Sequence, residues 1–163
     1  MRQPFLFGDP QSVWIQIRDA NDSARQIFDR HYSRYHYADG RKPAKFIGPG
    51  EYLLLMTRDA DAIFSWRKFI SADGQQGVNC AIFRNEGVAY ASSSELIKEA
   101  MRLAWERWPG ERLFTYINPR AVRRKRDPGR CFIRAGWKQC GVTKARKLLI
   151  FEVLPDVRPS PES

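Results

Sequence analysis

The sequence predicts a single α/β (α+β) domain, a mixed and mostly antiparallel sheet flanked by helices, with one parallel pair of strands around its longest helix. Hydrophobic residues make up 43% and aromatics 13% of the 163 residues, enough for one packed core and far from the composition of a disordered chain. Three strand-length apolar runs follow one another between residues 51 and 83, separated only by turn formers, as in a meander. A capped amphipathic helix comes next and runs directly into another strand; strand, helix, strand is the grammar of parallel neighbours.

The elements follow in order. Val13-Trp14-Ile15-Gln16-Ile17 mixes β-branched and aromatic residues and predicts a first strand. Asn21-Asp22-Ser23 offers N-caps for a short helix in which Ala24, Ile27 and Phe28 share a face. Residues 34–50 keep no period and carry turn formers, so a long loop is expected there. Strands are predicted over 51–57, 62–69 and 78–83, with turns at Arg58-Asp59-Ala60-Asp61 and Ser71-Ala72-Asp73-Gly74.

Ser92 and Glu95 have capping-box spacing, and Leu96, Ile97, Ala100, Met101, Ala104, Trp105 and Trp108 then recur at helical intervals until Pro109-Gly110 stops them. A strand is predicted over 112–117, and Asn118-Pro119 ends it. Pro128 suits the first turn of a short helix through Arg134, closed at Ala135-Gly136. The last strands are expected over 137–141 and 146–154. The domain is thus drawn as 1–154, with 155–163, rich in proline, as a flexible tail.

Composition also excludes. No apolar run approaches the length of a bilayer span, and the first residues lack the apolar core of a signal peptide, so no membrane partner and a cytoplasmic location are expected. Cys80, Cys131 and Cys140 are an odd set without CxxC spacing, which argues against a disulfide framework and a zinc ribbon alike. The signatures of P-loop hydrolases, zincins and serine hydrolases are absent.

The net charge of +10 is local. Eleven of the 28 Lys and Arg, but only one of the 18 Asp and Glu, lie between residues 120 and 147, so the rest of the chain holds seventeen of each and is neutral. Charge gathered this way makes a field that attracts phosphates. Arg123-Arg124-Lys125-Arg126 is its centre, extended by Arg130 and Arg134; it joins a strand to a helix, unlike a solvated terminal run, and nucleic acid is the leading partner.

Two other constellations bear on chemistry. Phe83 to Ala89 joins a strand to a helix that opens with Ser92, Ser93 and Ser94, where backbone amides and hydroxyls form an anion site; a plain βα turn with a redundant cap has the same letters. His31-Tyr32-Ser33, with Tyr35, His36 and Tyr37 close by, gathers both histidines, groups that titrate near neutral pH and serve as acid or base. An aromatic helix end also commonly just packs. Two histidines fall short of a metal site without carboxylates from elsewhere, so no residues are assigned to a metal, and whether one takes part stays open. Cys131 is read as structural.

The element order βαβββ, then βαβ, then a short helix and a closing hairpin resembles the GNAT acyltransferase fold. In that family an Arg/Gln-x-x-Gly-x-Gly/Ala loop binds the coenzyme A pyrophosphate, and Arg84-x-x-Gly87-x-Ala89 matches those letters. The stretch from Cys131 to Trp137 is similar to the family's Tyr-x-x-x-Gly-Phe ending, with Phe132 where many members place a general-acid tyrosine. Within the superfamily, His31-Tyr32-Ser33, Phe83 to Glu86, Ser93 to Ile97 and Pro128 to Trp137 look like motifs of the phage Mom-type DNA-modification proteins, GNAT-like enzymes that modify the N6 amine of adenine and shield phage genomes from restriction nucleases.

That resemblance implies a phage- or prophage-encoded transferase acting on DNA in the bacterial host. It implies acetyl-CoA or a related acyl-CoA held by Ile82, Phe83, Arg84, Asn85, Gly87, Ser93 and Ser94, catalysis by His31, Tyr32, Ser33, Tyr116 and Asn118, and a phosphate grip by Arg123, Arg124, Lys125, Arg126, Arg130 and Arg134. Asn118 stands where the Mom-type proteins carry a strand-end acid, so the group transferred stays open. A base inside a duplex must be flipped out to be reached, and residues 35–47 are a candidate platform for stacking on it. Two rivals stand beside this reading: a conventional acyl-CoA-dependent N-acyltransferase on a protein or small amine, and a non-catalytic nucleic-acid-binding module on the same scaffold.

Overall fold

The computed structural model describes residues 12–19, 21–29, 50–70, 73–120 and 128–155. Their elements are β1 (Trp14–Ile17), α1 (Asp22–Asp29), β2 (Glu51–Thr57), β3 (Ala62–Lys68), β4 (Val78–Asn85), α2 (Ser93–Arg107), β5 (Leu113–Ile117), α3 (Arg130–Arg134), β6 (Lys138–Val142) and β7 (Leu149–Val153). All seven strands share one sheet in the order β1-β2-β3-β4-β5-β7-β6. Every neighbouring pair is antiparallel except β4 and β5, which run parallel across α2, as the strand-helix-strand pattern requires.

The near-continuous apolar runs of β2 and β3 follow from cover on both faces. On one face α1 sets Ala24, Ile27 and Phe28 against Leu54, Ile63 and Ile82. On the other, the apolar stripe of α2 packs on Leu53, Leu55, Phe64, Trp66, Cys80 and Leu113. Three indoles reach up to this helix: Trp14 Nε1 donates to Leu96 O at 2.9 Å, Trp66 Nε1 to Ala100 O at 3.0 Å, and Trp137 Nε1 to Met101 Sδ at 3.1 Å. Large rings thus bury their apolar bodies while their single polar atom finds a partner.

The boundaries differ from the sequence reading at instructive places. β4 continues past Phe83 to Asn85, which makes Arg84 and Asn85 strand residues, in register with Ile63 and Ala62 of β3. Arg112 and Phe69 lie just outside β5 and β3. Pro128 precedes α3 instead of opening it; Gly129 is the N-cap, in a left-handed conformation. β7 begins at Leu149, because Thr143 N donates to Leu148 O at 2.8 Å and closes the hairpin there, leaving Arg146 and Lys147 in the turn.

The parallel pair is short. Val78, Asn79 and Cys80 face Leu113, Phe114 and Thr115, and the ladder stops there although both strands continue. At the same point Ser65 pairs with Ile82 and Trp66 with Cys80, so Ala81 is the extra residue of a β-bulge, a device that bends and twists the strand carrying it. Among the described residues, the edge of β4 facing β5, from Ile82 to Asn85, therefore has no strand beside it. At the opposite end Gly77 starts the pair: a Cβ there would collide with Arg112 O, the acceptor of Val78 N, and its φ of +123° is open only to glycine. Among the described residues no helix is long and apolar enough to cross a membrane.

Candidate functional site

Where β4 parts from β5, one side chain organises the turn into α2. Asn85 Oδ1 accepts from the amides of Gly87 and Val88, both at 2.9 Å, while its Nδ2 donates to Ser93 Oγ at 3.1 Å. Asparagine suits this place because its amide both accepts and donates, so it folds the backbone back on itself and fastens the result to the first residue of the helix. Gly87 adopts a φ of +115° with open space where a Cβ would stand. The two amides that the sequence pattern offers to an anion are thus already taken by Asn85.

The donors that remain belong to α2. Ser92 is the N-cap: its hydroxyl accepts from Glu95 N at 3.2 Å and meets Glu95 Oε1 at 3.0 Å, as the capping spacing predicts. The amides of Ser93 and Ser94 have no acceptor inside the helix, and the hydroxyls of both stand at the same end. Arg84 lies one residue before Asn85, on the other face of β4, with Nε 2.8 Å from Glu86 Oε2. Glu86 N donates to Asp61 O at 2.7 Å, which seats the loop on the β2–β3 turn. Tyr90, between the glycine motif and the serines, has its phenol pushed up by desolvation and then by Asp61 and Asp59.

Across the opening, Tyr116 and Asn118 stand at the end of β5. Tyr116 donates its hydroxyl to the Asp73 carboxylate, 2.8 and 3.0 Å from its two oxygens. Asp73 is the residue that sequence reading missed: Asp73-Gly74 marks a turn and nothing more, and only folding brings it to a strand 43 positions away. Asn118 Oδ1 accepts from Arg120 N at 3.0 Å and so begins the turn that leaves β5.

The floor on the α2 side is aromatic. Phe83 of β4 meets Phe132 of α3 edge-on at 6.2 Å, and Phe132 meets Trp137 at 4.9 Å. Trp137 stacks on Trp66 at 6.2 Å, while Phe64 touches both Trp66 and Phe83 at 4.6 and 5.3 Å, closing a ring of five. Phe132 is 6% exposed and serves this ring as a packing residue. Ile82, on the opposite face, packs under α1.

Arg130 and Arg134 are exposed on α3, and neither forms an ion pair among the described residues. The stretch Arg123, Arg124, Lys125 and Arg126 lies outside the described residues, as do His31, Tyr32, Ser33 and the loop over 35–47. Among the described residues, then, the fold brings Phe83, Asn85, Gly87, Ser93 and Ser94 and the two β5 residues to one end of the sheet, while Ile82 and Arg84 lie on the other face of β4. No cluster of His, Cys, Asp and Glu with metal-binding geometry occurs among the described residues. Compared with known protein families, curated proteins and solved structures, the chain matches none of them.

Proposed function

We propose that the protein is a GNAT-type transferase that uses an acyl-CoA to modify a base in DNA, with the N6 amine of adenine as the favoured target. The observation that carries this reading is the parted parallel pair: β4 opens from β5 at the Ala81 bulge and leads, through residues 86–92, to a helix amino end lined with hydroxyls. Such an edge suits a ligand with amides along its length, because backbone N–H and C=O groups there have no strand partner among the described residues. Ser93 and Ser94 suit its phosphates. The residues present therefore fit an acyl-CoA, which supplies an activated acyl group when bound.

The remaining roles fall to this chain's side chains. Asn85 holds the turn so that the Ser93 and Ser94 amides keep their direction; Arg84, paired with Glu86, is assigned to the cofactor by its motif alone. Tyr116, whose hydroxyl is held by Asp73, is assigned to hold or pass a proton of the incoming amine. Asn118 orients the strand end. His31, Tyr32 and Ser33 are assigned to the base side by their motif alone, and Arg123 to Arg134 to the phosphates. Digesting DNA to nucleosides after incubation with protein and acetyl-CoA, followed by mass spectrometry, is the direct test. An acyl-modified deoxyadenosine is expected, and an unchanged nucleoside profile across a panel of acyl-CoAs overturns the proposal.

A second reading, a nucleic-acid-binding module on the same scaffold, draws on two observations: the Arg84–Glu86 ion pair and the absence of a hydroxyl at Phe132. It predicts DNA binding without a new nucleoside. A conventional amine acyltransferase predicts turnover without salt-sensitive DNA binding.

A further inference from the structure

The β6–β7 hairpin carries cations that the proposed grip over 123–134 leaves unused. Beyond the last pair, Val142 with Leu149, Thr143 closes the ribbon: its amide donates to Leu148 O at 2.8 Å and its hydroxyl accepts from Leu148 N at 2.9 Å. Lys144, Ala145, Arg146 and Lys147 form the tip, and all four are exposed. Because Leu149 lies opposite Ile117, the last residue of β5, the tip projects past the end of that strand. It overhangs the end of the sheet where β4 and β5 part. Arg120 fixes it there, its Nη2 donating to Arg146 O at 3.2 Å.

Two features set this tip apart from an ordinary polar turn. Arg25, Lys68, Arg84, Arg102, Arg107 and Arg112 each have a carboxylate within ion-pair distance; Lys144, Arg146 and Lys147, like the scattered Arg18, Arg67 and Lys98, form no ion pair among the described residues, and here three such cations fall within one turn. Lys147 also holds a φ of 55°, a left-handed conformation that glycine or asparagine occupies with less strain. The tip keeps a cation where backbone ease favours another residue.

We infer that this tip is a phosphate-contacting arm that seats against double-helical DNA beside the opening between β4 and β5; the inference rests on the DNA-modifying reading above. A two-stranded ribbon has the width that the major groove of B-form DNA admits. Single strands are held by stacking on exposed aromatics, and the one aromatic between Lys138 and Val153, Phe151, is 2% exposed. Protein partners are held by buried apolar anchors, and between Leu148 and Thr143 the tip offers only Ala145. What it presents is charge, and charge positions a phosphate backbone without reading its sequence.

The test is anisotropy of a labelled DNA duplex across a salt series, with the wild-type chain, Lys147→Gly, and Lys144→Ala/Arg146→Ala/Lys147→Gly. The slope of log affinity against log salt should fall by about one for the single variant and by about two to three for the triple one. Lys147→Gly should melt no lower than wild type, since it relieves the left-handed strain, which separates loss of contact from loss of fold. An unchanged slope in the triple variant, or wild-type binding to the same single strand, a double-stranded RNA or polyglutamate as tight as to the DNA duplex, overturns the inference. Wild type that binds through the tip yet leaves nucleosides unmodified sinks the catalytic reading and keeps the arm. Wild type that modifies DNA while the triple variant keeps the full slope does the reverse.

Discussion

Asn85 makes three hydrogen bonds with one amide, which makes it the residue where binding and stability can be told apart. Asn85→Ala should cost about 1–3 kcal/mol, near the lower end because the turn is partly exposed to water, and should weaken acyl-CoA binding as the amides of Gly87 and Val88 lose their acceptor. Asn85→Asp keeps both accepted bonds and gives up only the donation to Ser93. Its melting temperature should stay close to wild type while acyl-CoA binding, followed by calorimetry, falls, because a carboxylate now faces the phosphates. Equal binding by the aspartate variant would remove the phosphates from this end of α2.

Cys80 gives a pH signature at the same scale. Burial pushes its thiol far up, outweighing the neighbouring Thr115. The folded protein therefore keeps this proton through the alkaline range, while the unfolded chain releases it near the ordinary thiol value of about 8.5. Below that value the residue is neutral in both states and has no effect; above it the unfolded state binds fewer protons, so stability falls by up to about 1.4 kcal/mol per pH unit. Denaturant unfolding from neutral to alkaline pH should show this slope, and Cys80→Ala should remove it.

Among the elements, the parallel pair is the one on which the site depends, and Gly77 permits it. Gly77→Ala drives a methyl into the Arg112 carbonyl in a conformation reserved for glycine, so a loss of at least about 2 kcal/mol is expected, together with loss of acyl-CoA binding. The same substitution at Gly87, which has space around it, should cost less than at Gly77, since only backbone strain opposes it; a larger loss at Gly87 than at Gly77 would contradict the assignment of Gly77 as the start of the pair.

The order and kind of the elements were legible in the sequence, because period and turn chemistry are local: Ser92 with Glu95 did cap α2, and Asp59-Ala60 did turn β2 into β3. The opening was not. It depends on Ala81 bulging against Ser65 and Trp66, and on β7 instead of β6 taking the place beside β5, choices made by tertiary packing that leave no local mark. Asp73 was illegible for the same reason. Asn85 looked like one letter of an anion loop, and only its three bonds show it as the residue that folds that loop.

At the scale of the whole molecule the charge is lopsided, and that has a consequence for stability. The described cations away from residues 120–147 largely sit in ion pairs, but such pairs at a protein surface are each worth no more than about 1 kcal/mol, and salt weakens them only a little in absolute terms. The stretch 120–147 holds eleven cations and a single acid, and charge of one sign so concentrated in sequence repels itself more in a compact chain than in an expanded one. Such repulsion is strong at low salt and largely screened at physiological ionic strength, where the Debye length is about 8 Å. Repulsion should therefore win the balance. The melting temperature is expected to rise as sodium chloride goes from low to physiological concentration, and to rise further with a DNA duplex at fixed salt, since a ligand that binds only the folded state stabilises it. A melting temperature that falls over the same salt range would mean that the paired surface outweighs the basic segment. The excess charge would then be spread too thinly in space to serve as a grip.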